Sequence, residues 1–187
     1  MGMAFFVTRG WEQEVASLVT VRRAKIRSVP AMLDYIANLR RMIGHTRIII
    51  PGARALLFDD AGRVLLEKQR LFGSWALPHG CVDVGESALD ALRREVHEET
   101  GLTVLNARLF GVYTAPQYSV TYPNGDEVQT FTLAFQVLSW TGELRIDDDE
   151  VDELRFFPLD ELPDDLYFIH ADTLNDLRQS GGQVVVR

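Results

Sequence analysis

At 187 residues and 47% hydrophobic content, the chain suits one compact domain with a full core and room for an appendage; two complete domains would be a squeeze. Its single cysteine, Cys81, excludes an intrachain disulfide, and no apolar run approaches the roughly 20 residues that cross a membrane. The formal charge of -8 is unevenly spread: residues 1 to 47 hold eight basic against three acidic residues (+5) and the remainder eleven against twenty-four (-13), an acidic body that repels a nucleic-acid backbone.

The opening residues "MGMAFFVTRGWEQEV" have neither the charged start nor the long apolar run of a secretory signal, so a cytoplasmic protein is expected. Two helices follow, Trp11 to about Arg27 and Pro30 to Gly44, with Pro30 suited to a first turn and Gly44 to a cap. In the second, Met32, Leu33, Ile36, Leu39 and Ile43 recur at three- and four-residue spacing, an apolar stripe that needs cover from its own domain or from a second copy. A homodimer is the expectation. The basic residues Arg22, Arg23, Lys25 and Arg27 read as a solvated helix face, so RNA is not an expected partner and DNA still less.

The composition then turns β-branched in "TRIIIPGARALLFDD", and the domain boundary falls here: a helical extension over 1–46 and a main domain over 47–187. Asp59, Asp60 and Gly62 turn the chain into the strand "RVLLEKQR", and the loop "ALPHGCVDVGES" leads to a helix from Ser87, a capping residue, to about Glu99, with Gly101 closing it. Strands are expected at Leu102 to Tyr113 and Val128 to Trp140, separated by the turn "YPNGDE", then at "ELRFF", and a last helix at His170 to Gln179. Interleaved strands and helices with hairpins among them predict an α/β fold on a mixed sheet.

The helix "REVHEETGL" has an odd charge distribution. At about 100° per residue, Glu95, Glu98 and Glu99 share an arc of roughly 100°, beside a buried stripe of Leu89, Leu92 and Val96 and away from the solvated Asp90 and His97. Three acids near a helix C-terminus repel one another and the helix dipole, each by several tenths of a kcal/mol. A hard divalent cation such as Mg²⁺, held by carboxylates, water and phosphate, turns the arrangement to advantage.

Read together with its loop, the segment is Gly80-x5-Glu86-x7-Arg94-Glu95-Val96-x-Glu98-Glu99-x-Gly101-Leu102. Seven fixed polar or glycine positions match by chance on the order of once in ten million chains. The segment resembles the Nudix box, and the likeness extends from about Ile48 to Gln179, including "GSWALPHGCVDVGES" and "ELRFFPLDELP".

The resemblance implies an α/β/α sandwich with a mixed sheet, carrying here an N-terminal helical extension. It also implies a Mg²⁺- or Mn²⁺-dependent hydrolase of nucleoside diphosphates linked to another group, such as a sugar, by water attack on phosphorus. Dinucleoside polyphosphate or nucleoside triphosphate hydrolysis, and a sensing domain that binds nucleotide without cleaving it, stand as alternatives. Glu95 and Glu99 would lead in holding the metal, with Glu98 as a further or water-mediated ligand and the Gly80 carbonyl completing the shell, and any of the three acids could also help activate water. Arg94 joins the catalytic set and pairs with Glu86 to tie loop to helix, while Gly85 and Gly101 shape the backbone.

A general base outside the box is expected at Glu150, with Glu153 and Glu127 behind it. The substrate contacts expected are His79, Trp75, Arg54 and Tyr113, from an aromatic pool that also includes Phe72, Tyr118, Tyr122 and Phe156. His79 stands where glycine is common in the family and is read as a phosphate contact or a packed side chain, not as a metal ligand.

Overall fold

The protein is described by a computed structural model over residues 32–146 and 150–187. The expected helix from Trp11 to Arg27 lies outside these residues. Its successor forms α1 (Met32–Ile43), closed by Gly44 at φ +64° with its N–H donating to the Arg40 carbonyl. The strands are β1 (Ile48–Leu56), β2 (Val64–Gln69), β3 (Trp75–Ala76), β4 (His79–Cys81), β5 (Thr103–Tyr113), β6 (Ser119–Thr121), β7 (Glu127–Thr141), β8 (Val151–Phe157) and β9 (Val185–Val186). The two long helices after α1 are α2 (Ala88–Thr100) and α3 (Phe168–Gln179).

The larger sheet runs β4-β1-β7-β5-β9, with β6 returning onto β7 as the hairpin that "YPNGDE" closes. It is mixed as expected: β1 lies parallel to β7 over nine residues and antiparallel to β4, and β5 is antiparallel to β7. A smaller sheet, β3-β2-β8, stands beside it. Side-chain alternation along β1 and β7 sends successive residues to opposite faces. Ala53, Ala55, Leu57, Phe135 and Val137 pack against Ala91, Leu92 and Val96 of α2. Leu56 and Ala134 pack with Ile169 and Leu174 of α3 on the other side. The result is a helix-sheet-helix sandwich.

The start of α2 follows the capping expectation. The Ser87 hydroxyl accepts the Asp90 N–H, and Gly101 at φ +74° donates to the His97 carbonyl. The extension is held by polar contacts: Arg40 Nη2 donates to the Glu127 carbonyl at 2.9 Å and Nη1 to the Thr46 carbonyl at 2.6 Å, while His45 Nδ1 meets Asp126 at 2.8 Å. Of the stripe's described side chains Ile36 and Leu39 are half-buried and Ile43 is exposed, and beside it Tyr35 and Met42 are exposed as well. Among the described residues no helix is long and apolar enough to cross a membrane.

Candidate active site

The carboxylates of α2 gather at the end of the sandwich where β4 meets the helix, and Arg94 organises them. Its guanidinium forms a two-pronged pair with Glu86, Nε to Oε1 at 3.1 Å and Nη2 to Oε2 at 2.9 Å. It also donates to Glu95 at 2.8 Å, to Glu98 at 3.1 Å and to the Cys81 carbonyl at 2.9 Å. Glu86 accepts the Asp83 N–H as well, so one planar cation fastens the loop 79–87 to two helical acids. These hydrogen bonds, first those to Glu86, hold the guanidinium above its ordinary pKa.

Glu95 lies directly against Gly80. A Cβ there would fall 2.0 Å from the Glu95 carboxyl carbon, so only glycine lets backbone and carboxylate approach this closely. Burial pushes the Glu95 carboxyl up to about 7, against the pull of Arg94. Glu98, one helical position from the buried row, is half exposed. Glu99 turns inward at 4% exposure, where its Oε2 accepts the His79 N–H at 3.0 Å. Burial and the neighbouring Glu67 raise Glu99 well above the usual carboxylate range.

Glu67 is the acid that sequence reasoning missed. It sits on β2 at 0% exposure, on the same parity as Leu65, which packs toward α2. A charged residue on the inward parity of "VLLEK" was the available signal. His170 was missed too: it is 2% exposed, its Nδ1 accepts the Leu77 N–H at 3.1 Å, and its ring meets His79 edge-on at 4.6 Å between centroids. Burial, then Arg54 and His79, keep its pKa well below the usual histidine value, so it is neutral at pH 7.

The other expected contacts divide. Arg54 and Tyr113, at 2% and 0% exposure, face α3, where Arg54 donates to the Ile169 carbonyl and Thr173 and lies over the Tyr113 ring. Both side chains brace the sheet against α3, with Arg54 Nε buried and lacking a hydrogen-bond partner, and burial lowers Arg54 to about 10. Trp75, at 6% exposure, is wedged between Phe157, Arg155 and Lys68 and is closed off in the same way. The accessible aromatics are Phe72, 40% exposed, which stacks on Tyr167 at 5.7 Å and tilts toward Tyr122. Tyr167 in turn approaches His170 at 6.1 Å, so this wall runs from solvent toward His79.

Glu150 stands at the same end. After burial, the charges that raise Tyr122 are those of Cys81, Tyr167 and Glu150, and the Glu150 carbonyl accepts the Arg70 N–H at 2.8 Å. Glu127 pairs with Arg47, and Glu153 with Arg155, on the surface. Cys81, beside Glu95, is raised to about 11 by burial first, which leaves it an unreactive thiol at neutral pH.

These residues suit a divalent cation. Glu67 Oε2 is buried without a hydrogen-bond partner, and the charges of Glu67 and Glu95 both raise Glu99, a repulsion that a cation bound among them would relieve. The donors around Gly80 are carboxylate and carbonyl oxygens, the set that hard cations take.

A family model for the NUDIX domain matches residues 49–177. The ADP-ribose pyrophosphatase of Methanocaldococcus jannaschii is 33% identical over 139 residues, 73% of this chain and 75% of that protein. The NAD-capped RNA hydrolase NudC of Actinobacillus succinogenes is 37% identical over 116 residues, and the match spans only 40% of its length. Among solved structures, the MutT NUDIX hydrolase of Burkholderia pseudomallei superposes with a TM-score of 0.60 at 30% identity, covering 68% of this chain and 97% of that one.

Proposed function

From the premise that this chain belongs to the NUDIX family and is a Nudix hydrolase, we propose that it is a cation-dependent pyrophosphohydrolase. Its substrate is a nucleoside diphosphate joined to a sugar or a similar small group, cleaved to a nucleoside monophosphate and a phosphorylated remainder. The observation that carries the reading is the juxtaposition of two unlike surfaces. Acids suited to a metal-bound diphosphate lie beside Gly80, and an aromatic wall of exposed Phe72 and half-buried Tyr122 and Tyr167 approaches the same end, suited to stack a base. The relative named as an ADP-ribose pyrophosphatase supports this substrate class.

Glu95, Glu98 and Glu99, with the Gly80 carbonyl, would hold Mg²⁺ or Mn²⁺. Such an ion supplies charge neutralisation for the diphosphate and acidifies water. Arg94, bonded to Glu95 and Glu98, fixes their rotamers, and Glu150, whose charge reaches Tyr122 at the same end, is the base that takes the proton of the attacking water. His79 borders the phosphates. We further infer a homodimer, in which Tyr35, Met42 and Ile43 of the 1–46 extension meet a second copy; sedimentation returning only monomer at high concentration removes that part.

The test is a panel of ADP-ribose, UDP-glucose, a dinucleoside tetraphosphate and 8-oxo-dGTP with Mg²⁺ and with Mn²⁺, products identified. Monophosphate plus sugar phosphate at the highest kcat/KM is expected. Preference for the triphosphate or tetraphosphate would replace the substrate class. Glu98→Gln, removing a charged ligand, should lower kcat about a hundredfold, at or above the top of the range for disturbing a ligand's support; an unchanged rate would sink the metal assignment.

A further inference from the structure

Glu67 and His79 lie outside the box, yet both lie close to Glu99. One ligand atom from each of Glu67, His79 and Glu99 lies within 4.8 Å of the others. Two ligands of one ion stand at most about 4.2 Å apart, twice a bond of roughly 2.1 Å, so closure on the order of half an ångström brings all three to one centre. Two polar atoms in this triangle are buried and unpartnered: Glu67 Oε2, on a side chain at 0% exposure, and His79 Nδ1. Gln69 reaches only Glu67 Oε1, at 3.3 Å.

We propose that Glu67, His79 and Glu99 form a second cation site, nitrogen-bearing, that takes a borderline divalent ion such as Mn²⁺, Co²⁺ or Zn²⁺. The box acids Glu95 and Glu98, beside the Gly80 carbonyl, are an all-oxygen set that suits Mg²⁺. Adding an imidazole shifts preference toward the borderline ions. The sequence expectation had set His79 aside as a metal ligand because the box carboxylates already suffice; Glu67 alters that by placing a second acid against its ring.

The surroundings permit an ion. His170 accepts the Leu77 N–H at Nδ1, which puts its ring proton on Nε2, and its ring packs edge-on against the His79 imidazole at 4.6 Å between centroids. The rival arrangement is a protonated His79 pairing with Glu67 Oε1 across 3.5 Å, with no ion at all. The inference shares Glu99 with the proposed catalytic site and rests on that reading to this extent.

The two arrangements separate in a Co²⁺ titration of the metal-free, full 187-residue chain, followed by visible absorption, alongside Mg²⁺ binding by calorimetry. Glu67→Gln and His79→Ala should each weaken one Co²⁺ site roughly tenfold or more and alter its bands, since loss of a ligand costs at least what loss of its support does. His79→Ala should leave Mg²⁺ affinity within about twofold, Mg²⁺ favouring oxygen, and Glu98→Gln should retain the site that the other two weaken. Undiminished Co²⁺ affinity in both Glu67→Gln and His79→Ala, or a single site that Glu98→Gln removes entirely, overturns the proposal whatever the substrate panel returns. A chain that binds Co²⁺ through His79 yet hydrolyses no diphosphate would instead sink the catalytic reading and leave this one standing.

Discussion

A methyl group at position 80 would meet the Glu95 carboxylate first. The obstacle is the end of a flexible side chain, so Gly80→Ala should fold, with Tm moving by no more than about 2 °C. The acid must swing away, and cation affinity and kcat should fall together, roughly tenfold or more. Wild-type turnover in Gly80→Ala would show that this contact does not set the position of Glu95. At this scale the box was legible because one helical period relates Glu95, Glu98 and Glu99. Glu67 stands thirty-two positions before Glu99 and meets it only through the packing of β2 against α2, which no local spacing encodes. Arg54 and Tyr113 misled for the converse reason: a polar group at a strand position looks the same in sequence whether its partners are a ligand or the residues of α3.

At the scale of elements, the loop 79–87 and helix α2 behave as one piece because Arg94 spans both. Lysine at this position keeps the charge and loses the fork, so it cannot serve Glu86, Glu95 and the Cys81 carbonyl at once. Arg94→Lys should cost about 1.5–3 kcal/mol, the range for hydrogen bonds to charged groups, read as a lower Tm with chelator present. Unchanged Tm would mean that the loop is held by β4 pairing alone. The helices and long strands were readable from capping residues and periodicity, with bounds within a few residues of those observed. The short strands β3, β4 and β9 were not, since two or three residues carry no period and exist only through their partners. Nor was the parallel union of β1 with β7, which depends on tertiary packing.

For the molecule as a whole, the clustered acids link stability to pH when no cation is bound. Burial holds Glu95 at about 7 and Glu99 well above its ordinary 4.5, so the folded chain retains protons that the unfolded chain has released. The Glu95 contribution is complete below about 4.5 and is lost as pH rises through about 7, and that of Glu99 is lost in the same direction. His170 works in the opposite sense, because its depressed pKa favours the fold as pH rises toward 6.5 and adds nothing further above it. The informative window is therefore pH 6.5 to 8: in chelator, Tm should fall across it, and excess Mn²⁺ should flatten the fall. A flat or rising Tm in chelator would contradict the burial of these acids.

The pairing of β1 with β7 also bears on how the chain finds its fold. Ile48 lies beside Val128, eighty positions later, so the central ladder of the large sheet closes a loop holding β2 to β6 and α2. Such closure brings little reward until most of the loop is made, which slows folding relative to a sheet built from neighbours. During synthesis β1 can first pair only with β4, through Gly52, Ala53 and Arg54, leaving its other edge open while β7 is still to be translated. The β4–β1 pair that carries His79 and Gly80 is thus available to form before the sheet's centre does, and the strand beside the reactive end waits longest for its second neighbour.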